Sequence, residues 1–349
     1  MQAEAMGAVE SMNISTVLPV LNEVKYIDDC INSLIEQTYP AHQHTVLVMD
    51  GGSTDGTVDR IKQAIERSKK AGGPTIELHH NQGKFVAQGR NLALTLLPDD
   101  TTHILELIGH STVEPHHLQR LSEEWLTIAQ TEPRELAALG SRVLPRKGQL
   151  ETIESWIEAT LASPLGSGGG QFDGFTKAGP CRIPAFVLHS RQALTSVDGW
   201  DESFISSQDS DLSMRLSAAG FALWRTPETT VHMTKRTGLT RWWRMGHRYG
   251  FWRTKTVLKH PRRISVREYL PWFGFLLTLG LFFFGHPLAT VPLAAYGLVL
   301  GFEAIRMTLR FRRISLMIGV PLCMFMLHSS FSIGLVDGLL RKGRAATDR

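Results

Sequence analysis

The sequence predicts an α/β fold: a mostly parallel sheet with helices on both faces, followed by apolar helices near the C-terminus. Two observations predict it. Strand-like and helix-like patterns alternate over the first 140 residues, and the composition turns strongly apolar from Tyr269 onward. A third feature joins the two regions, a basic and aromatic stretch between about residues 235 and 267 that contains no acid.

The elements follow in order. STVLPV (15–20) is a strand candidate, and VKYIDDCINSLIEQ (24–37) places apolar residues at helical spacing. TVLVMD (45–50) is a second strand, TVDRIKQAIERSKK a helix, TIELHH a third strand and FVAQGRNLALTLL a helix. THILELI then reads as a fourth strand, with a helix near 115–130 and a strand near 136–143 after it. Such β-α-β alternation makes a parallel sheet, and ligands bind at the carboxyl ends of its strands. Those ends here are Asn22-Glu23, Asp50, His79-His80 and Gly109-His110. Further on, PLGSGGGQFDGF (164–175) is a Gly-rich loop, readable as a lid or a plain connection. IPAFVLHS then reads as a strand, and QDSDLSMRLSAAG as a helix that starts with acids and stops at Gly220.

The chain has 349 residues, 43% hydrophobic and 20% charged, which excludes a disordered protein. Cys30, Cys181 and Cys323 lie far apart without a CxxC spacing, so neither a disulfide framework nor a zinc site is expected, and the catalytic part reads as cytosolic. The start, MQAEAMGAVESMN, lacks the basic and apolar segments of a secretory signal. In the stretch 235–267, arginines and lysines alternate with Trp242, Trp243, Tyr249, Phe251 and Trp252, a mixture that suits an anionic membrane surface better than nucleic acid. Three apolar stretches follow. They predict three membrane helices, with a re-entrant pair in place of the first two as the alternative, because those two fall short of the roughly 20 residues a span needs.

Two motifs carry chemistry. In MDGGSTDGT, Asp50 ends a strand and is followed by Gly51 and Gly52, which let a ligand approach the backbone; Asp55 suits the cap of the next helix, while Asp50 suits base or ribose recognition. In SSQDSDLSMRLSAAG, Asp211 and Arg215 form an i, i+4 pair, whereas Asp209 has no such partner at helical spacing and suits a general base.

VLPVLNE, DGGSTDGT, GWDESFISSQDSDLSMRLSAAG and HMTKRTGLTRWWRMGHRYGFWR, in that order, resemble the motifs of inverting family-two glycosyltransferases with the GT-A fold. The pattern is most similar to membrane-anchored transferases of the succinoglycan-type exopolysaccharide group, and covers nearly the whole chain. The resemblance implies a GT-A-like domain at 1–234, a basic aromatic interfacial segment at 235–268, a membrane domain of about three helices at 269–340 and a basic tail at 341–349. It implies transfer of a hexose, with inversion, from a nucleotide diphosphate sugar such as a UDP-sugar to a lipid-linked or growing glycan acceptor. The setting would be the inner face of the plasma membrane, with membrane lipids as partners and no nucleic acid.

By the same resemblance Pro19, Glu23 and Asp50 line the nucleotide pocket, and Asp209 deprotonates the acceptor hydroxyl. Lys84, Arg182 and Arg236 meet the donor diphosphate, and Gln208 and Trp242 meet the acceptor. Two departures stand out. Gln208 replaces the first acid of an acid-Asp pair. Ile108 stands where the group has the Asp that holds a divalent cation, leaving His110, with His232, as the remaining metal ligands. Alternation along a strand would put Glu106, Ile108 and His110 on one face, with Glu106 more suited to a salt bridge than to ligation. The expected consequence is weak or absent dependence on Mg²⁺ or Mn²⁺. The alternative function is a transferase-like scaffold that has lost its metal site and binds a nucleotide sugar or an active partner.

Overall fold

The computed structural model describes residues 12–167, 172, 174–235 and 237–343. The chain divides into two compact units, one of residues 1–147 and 175–234, the other of residues 148–174 and 235–349. The segment 148–174, expected inside a continuous N-terminal domain, therefore belongs to the second unit.

The first unit is built on a mixed sheet. Its strands are β1 (Ile14–Val20), β2 (His44–Asp50), β3 (Thr75–His80), β4 (His103–Glu106), β5 (Ser111–Val113), β6 (Leu136–Pro145), β7 (Gly179–Pro180), β8 (Val187–Ser190) and β9 (Ala222–Met233). They lie in the order β3-β2-β1-β4-β8-β6-β9-β5, with β7 paired to β9. The first four strands are parallel, as the alternation predicts, and the right-hand part is antiparallel through β8 and β5. Helices α1 (Ile27–Ile35), α2 (Thr57–Ala71), α3 (Val86–Leu96) and α4 (His117–Thr131) join them. Every residue of β1 is buried, Ser15 and Thr16 included, so the strand does not alternate between apolar and exposed polar positions.

Two apolar layers cover the sheet. Leu18, Val48, Ile61 and Leu118 belong to one, and Val17, Leu47, Ala93 and Trp200 to the other, as alternation along β1 and β2 requires. The fourth strand is shorter than the sequence suggests. It ends at Glu106, and Ile108 to His110 form a turn before β5, so alternation does not carry through to place Ile108 and His110 on the face of Glu106.

The second unit contains α5 (Thr152–Leu161), the short α6 (Pro164–Ser167), α9 (Leu239–Lys259), α10 (Val266–Phe283), α11 (Val291–Phe311) and α12 (Leu316–Leu340). Helices α7 (Arg191–Ser196) and α8 (Gln208–Ala218) lie in the first unit. Among the described residues α11 and α12 are, by length and composition, able to cross a membrane, two helices rather than the three expected; α10 carries Pro271 inside its first turns.

Helix α9 does not present its aromatic residues to a membrane surface alone. It runs parallel to α12, with Gly246 against Ser330, Gly250 against Phe331 and Gly334 against His247. A Cβ at Gly250 would come 2.0 Å from the Phe331 carbonyl oxygen, so only glycine allows this approach. Trp242, Phe251 and Trp252 are buried in this packing, while Arg241, Arg244 and Lys259 remain exposed. The segment is thus amphipathic, with its apolar face spent on a neighbouring helix.

Candidate functional site

The site is assembled at the carboxyl ends of β1, β2 and β3. Register aligns Val20 with Asp50 and Asp50 with His80, so the three strands stop level and their following loops meet. Pro19 is buried in β1, beyond the last rung shared with β4, which pairs Val17 with Glu106. Its missing N–H removes no bond from that rung.

Asp50 is 6% exposed, and its carboxylate accepts hydrogen bonds from the backbone N–H of Gly52 at 3.1 Å and of Ser53 at 3.2 Å. These bonds fix the carboxylate at the strand end. Gly51 lies under Lys84: a Cβ there would sit 3.0 Å from the Lys84 carbonyl oxygen. Lys84 is exposed and takes a left-handed backbone with φ 65°, so the loop presents its side chain beside Asp50's strand end at some conformational cost.

The following turns are held by side chains. The Ser53 hydroxyl accepts from the Asn22 N–H, and Asn22 Oδ1 accepts from the Thr54 N–H, which ties the β1 and β2 loops together. Asp55 accepts from the backbone and hydroxyl of Thr57 and from the Val24 N–H; it stands one residue before the cap position expected of it, which Gly56 fills without a side-chain bond. Burial is the largest single influence on Asp55 and opposes its ionisation, but these bonds together outweigh it and hold its carboxyl below the usual range.

Glu23 and His110 meet across the site, Glu23 Oε1 lying 2.7 Å from His110 Nδ1. Gly109 makes this contact feasible, because a Cβ there would lie 2.8 Å from Glu23 Cγ. The Gly109-His110 turn therefore closes on the β1 loop. Ile108 points no donor atom at the site except its backbone: its carbonyl accepts from the hydroxyl and the N–H of Ser111.

Glu106 is engaged inside the sheet rather than at its end. It lies 2.7 Å from Arg90 Nη2 and 2.8 Å from His189 Nε2, with all three side chains buried. Burial alone would raise the Glu106 pKa, but the Arg90 charge and the His189 bond outweigh it and hold the carboxyl below its ordinary value. This is the salt bridge anticipated for Glu106, placed on a central strand.

His232 uses both ring nitrogens, one on the Pro145 carbonyl at 2.8 Å and one on Glu114 at 3.2 Å. His110 and His232 thus hold different partners. Among the described residues no group of three or more His, Cys, Asp or Glu side chains is placed to hold a metal ion. These residues do not form a ready oxygen cage for Mg²⁺ or Mn²⁺.

Asp209 is the second residue of α8 and is exposed, with Oδ1 accepting from the Ser210 N–H at 2.8 Å. Ser207 before the helix has φ 64°, and Gln208 begins it. Asp211 is fully buried on Arg215, at 2.8 Å, the pair its spacing predicts. Arg182 is exposed on the segment after β7. Arg236 lies outside the described residues.

Trp242 differs from expectation. It belongs to the second unit, has 0% exposure and donates its indole N–H to the Cys323 carbonyl at 2.9 Å. A side chain so enclosed is a packing residue and offers no surface to an acceptor. Sequence reasoning also passed over Asn81 and Asn91, which bind loop backbone around the site. Nothing in the helix sequence VAQGRNLALTL sets Asn91 apart from its polar neighbours Gln88 and Arg90.

Residues 15–130 match the profile of Glycosyl transferase family 2. The succinoglycan biosynthesis protein ExoA of Rhizobium meliloti is 27% identical, over 73% of this chain and 73% of that protein. A dolichyl N-acetyl-alpha-D-glucosaminyl phosphate 3-beta-D-2,3-diacetamido-2,3-dideoxy-beta-D-glucuronosyltransferase of Methanococcus voltae is 26% identical, over 94% of this chain and 97% of that one. In fold, the chain is similar to the mannosyltransferase PcManGT of Pyrobaculum calidifontis, solved with GDP-Man and Mn²⁺, with a TM-score of 0.59 at 15% identity over 98% of this chain and 97% of that one. Strand ends that carry Asp50, a matching profile over that same region and relatives along most of the chain converge: residues 15–130 are similar to the glycosyl transferase family 2 domain, and the fold is GT-A-like.

Proposed function

We propose that the protein is a membrane-anchored inverting hexosyltransferase. It takes a nucleotide diphosphate sugar, a UDP-sugar by preference, and passes the hexose to a lipid-linked or growing glycan in exopolysaccharide or cell-surface glycan synthesis. The observation that carries this reading is Asp50, buried at a strand end with its carboxylate fixed by two backbone donors, beside the loop that carries Lys84. The names of the relatives, a succinoglycan biosynthesis protein and a sugar transferase acting on a dolichyl-linked substrate, support the acceptor class.

In this mechanism Asp209 removes the proton of the acceptor hydroxyl as that oxygen attacks the anomeric carbon. The glycosidic bond forms on one face while the bond to the diphosphate breaks on the other, which inverts the centre. Asp209 suits the task because it is exposed at the head of a helix whose other first-turn acid, Asp211, is committed to Arg215. Lys84, Arg182 and Arg236 neutralise the leaving diphosphate. Ile108 supplies no ligand for a cation, so dependence on Mg²⁺ or Mn²⁺ is weak or absent. Attachment to the inner face of the plasma membrane, with the catalytic unit cytoplasmic, falls to the second unit, where α10, α11 and α12 expose Phe275, Phe282, Phe302 and Ile318.

The test is a thermal-shift panel on the purified full-length protein with UDP-glucose, UDP-N-acetylglucosamine and GDP-mannose, followed by nucleotide release. A ligand at a hundredfold its Kd stabilises the folded state by about 2.7 kcal/mol. One donor should raise the melting temperature and release nucleotide in the presence of acceptor lipid. A shift without release would favour the second reading, a nucleotide-sugar-binding scaffold, which the isoleucine at position 108 recommends.

A further inference from the structure

Asn91 is not among the residues that sequence patterns assign to the site, yet it grips the loop that leads to Asp209. Its Nδ2 donates to the Trp200 carbonyl at 2.7 Å and to Glu202 Oε1 at 3.0 Å, and its Oδ1 accepts from the Trp200 N–H at 2.9 Å. One side chain thus holds both backbone groups of one loop residue. The fit is close: Gly199 takes φ 64°, and a Cβ there would lie 2.6 Å from Asn91 Oδ1.

The same loop is gripped from its other side by α8. Arg215 donates to the carbonyls of Val197 and of Gly199, the latter at 2.7 Å, while its Nε holds the fully buried Asp211. Asp211 and Asp209 share the first turn of α8. A continuous chain of hydrogen bonds therefore runs from Asn91 on α3, through residues 197–202, to the helix that presents Asp209.

Helix α3 is itself tied to the donor side. The Asn81 N–H donates to the Asp50 carbonyl at 2.7 Å, and Asn81 Nδ2 donates to the Phe85 carbonyl just before α3 at 3.0 Å. Arg90, adjacent to Asn91, is fixed by its bond to Glu106 on β4, and its guanidinium lies 5.4 Å from the centre of the Trp200 ring. The start and the middle of α3 are thereby referenced to the sheet.

We propose that Asn91 is a positioning residue, which sets Asp209 relative to the strand ends that carry Asp50 through the loop at residues 197–202. This rests on the reading of Asp209 as the acceptor base. Its effect is on the geometry of proton removal and not on donor affinity, because Asn91's described contacts are all to the loop before α8.

The test is a double-mutant cycle on the full-length protein with Asn91→Ala and Asp209→Asn. It follows release of UDP from UDP-glucose, or of nucleotide from UDP-N-acetylglucosamine or GDP-mannose if one of these turns over faster. Asn91→Ala should lower kcat about tenfold or more, leave the donor KM within about twofold, and cost less than about twofold when Asp209 is already asparagine. Losses that multiply, or a donor KM that rises in step with the fall in kcat, would overturn the positioning role while the base reading stands. Full activity of Asp209→Asn would instead remove the base reading itself. If the alanine variant does not fold, Asn91→Asp retains the acceptor for the Trp200 N–H but sets a carboxylate oxygen against the Trp200 carbonyl and Glu202; it should show the same non-additivity with a drop at least as large, and additivity there overturns the proposal equally.

Discussion

Replacing Glu106 with glutamine keeps the size of the side chain and removes the charge that balances Arg90. The two side chains are 6% and 7% exposed, so neither is reached by bulk water. Removing one partner of such a buried pair costs about 3–5 kcal/mol, because the remaining charge is left unpaired in a poor solvent. The His189 bond survives, since a glutamine oxygen still accepts at that position, and this favours the lower end of the range. For a unit of this size each kcal/mol moves the melting temperature by about 2–4 °C, giving a fall of about 6–20 °C. Calorimetry or near-ultraviolet circular dichroism at neutral pH measures it. A fall under about 2 °C would refute the claim that the ion pair is desolvated and structurally required.

The pH dependence has a definite sign. The folded-state pKa of Glu106 is depressed, so its contribution is complete above the unfolded value of about 4.3 and is lost as pH falls through the lower folded value. The gap between the wild type and Glu106→Gln should therefore narrow on acidification below about pH 4. A gap that widened there would reverse the assignment.

Other outcomes follow from named contacts. Chelation should leave most of the activity, and Ile108→Asp should create or strengthen a response to Mn²⁺; complete loss on chelation, restored by metal, would show that the cation is held after all. Gly250→Val should force α9 from α12, where a Cβ already meets a carbonyl oxygen at 2.0 Å, and destabilise the second unit by about 1–3 kcal/mol or more; unchanged thermal unfolding and protease resistance would contradict that packing.

How much of this was legible in the sequence varies with the range of the interactions. The alternation of strand and helix from Ile14 to Leu96 follows from local periodicity, and Asp50's place at a strand end follows from it. The Asp211 and Arg215 pair was readable from spacing alone. By contrast, the fourth strand stops two residues before Ile108, because Gly109 must let the chain turn against Glu23, a contact 86 positions earlier in sequence by subtraction of 23 from 109. Periodicity cannot see such a partner. Trp242 shows the same limit: tryptophan among arginines fits a membrane surface by composition, but the facing glycines of α12, nearly a hundred residues later, turn that face into a helix interface. Asn91 was invisible for a related reason, since its partners, at Trp200 and Glu202, are backbone and side-chain groups of a distant loop.

The central claim is that Asp209 takes the acceptor proton in a transferase whose donor sits over Asp50. Its most direct test compares turnover and donor binding of Asp209→Asn with the wild type, using the nucleotide sugar that stabilises the protein most in the thermal-shift panel. The claim predicts turnover lower by about 10²-fold or more, with the donor-induced melting shift unchanged. Equal turnover in the two proteins would contradict it.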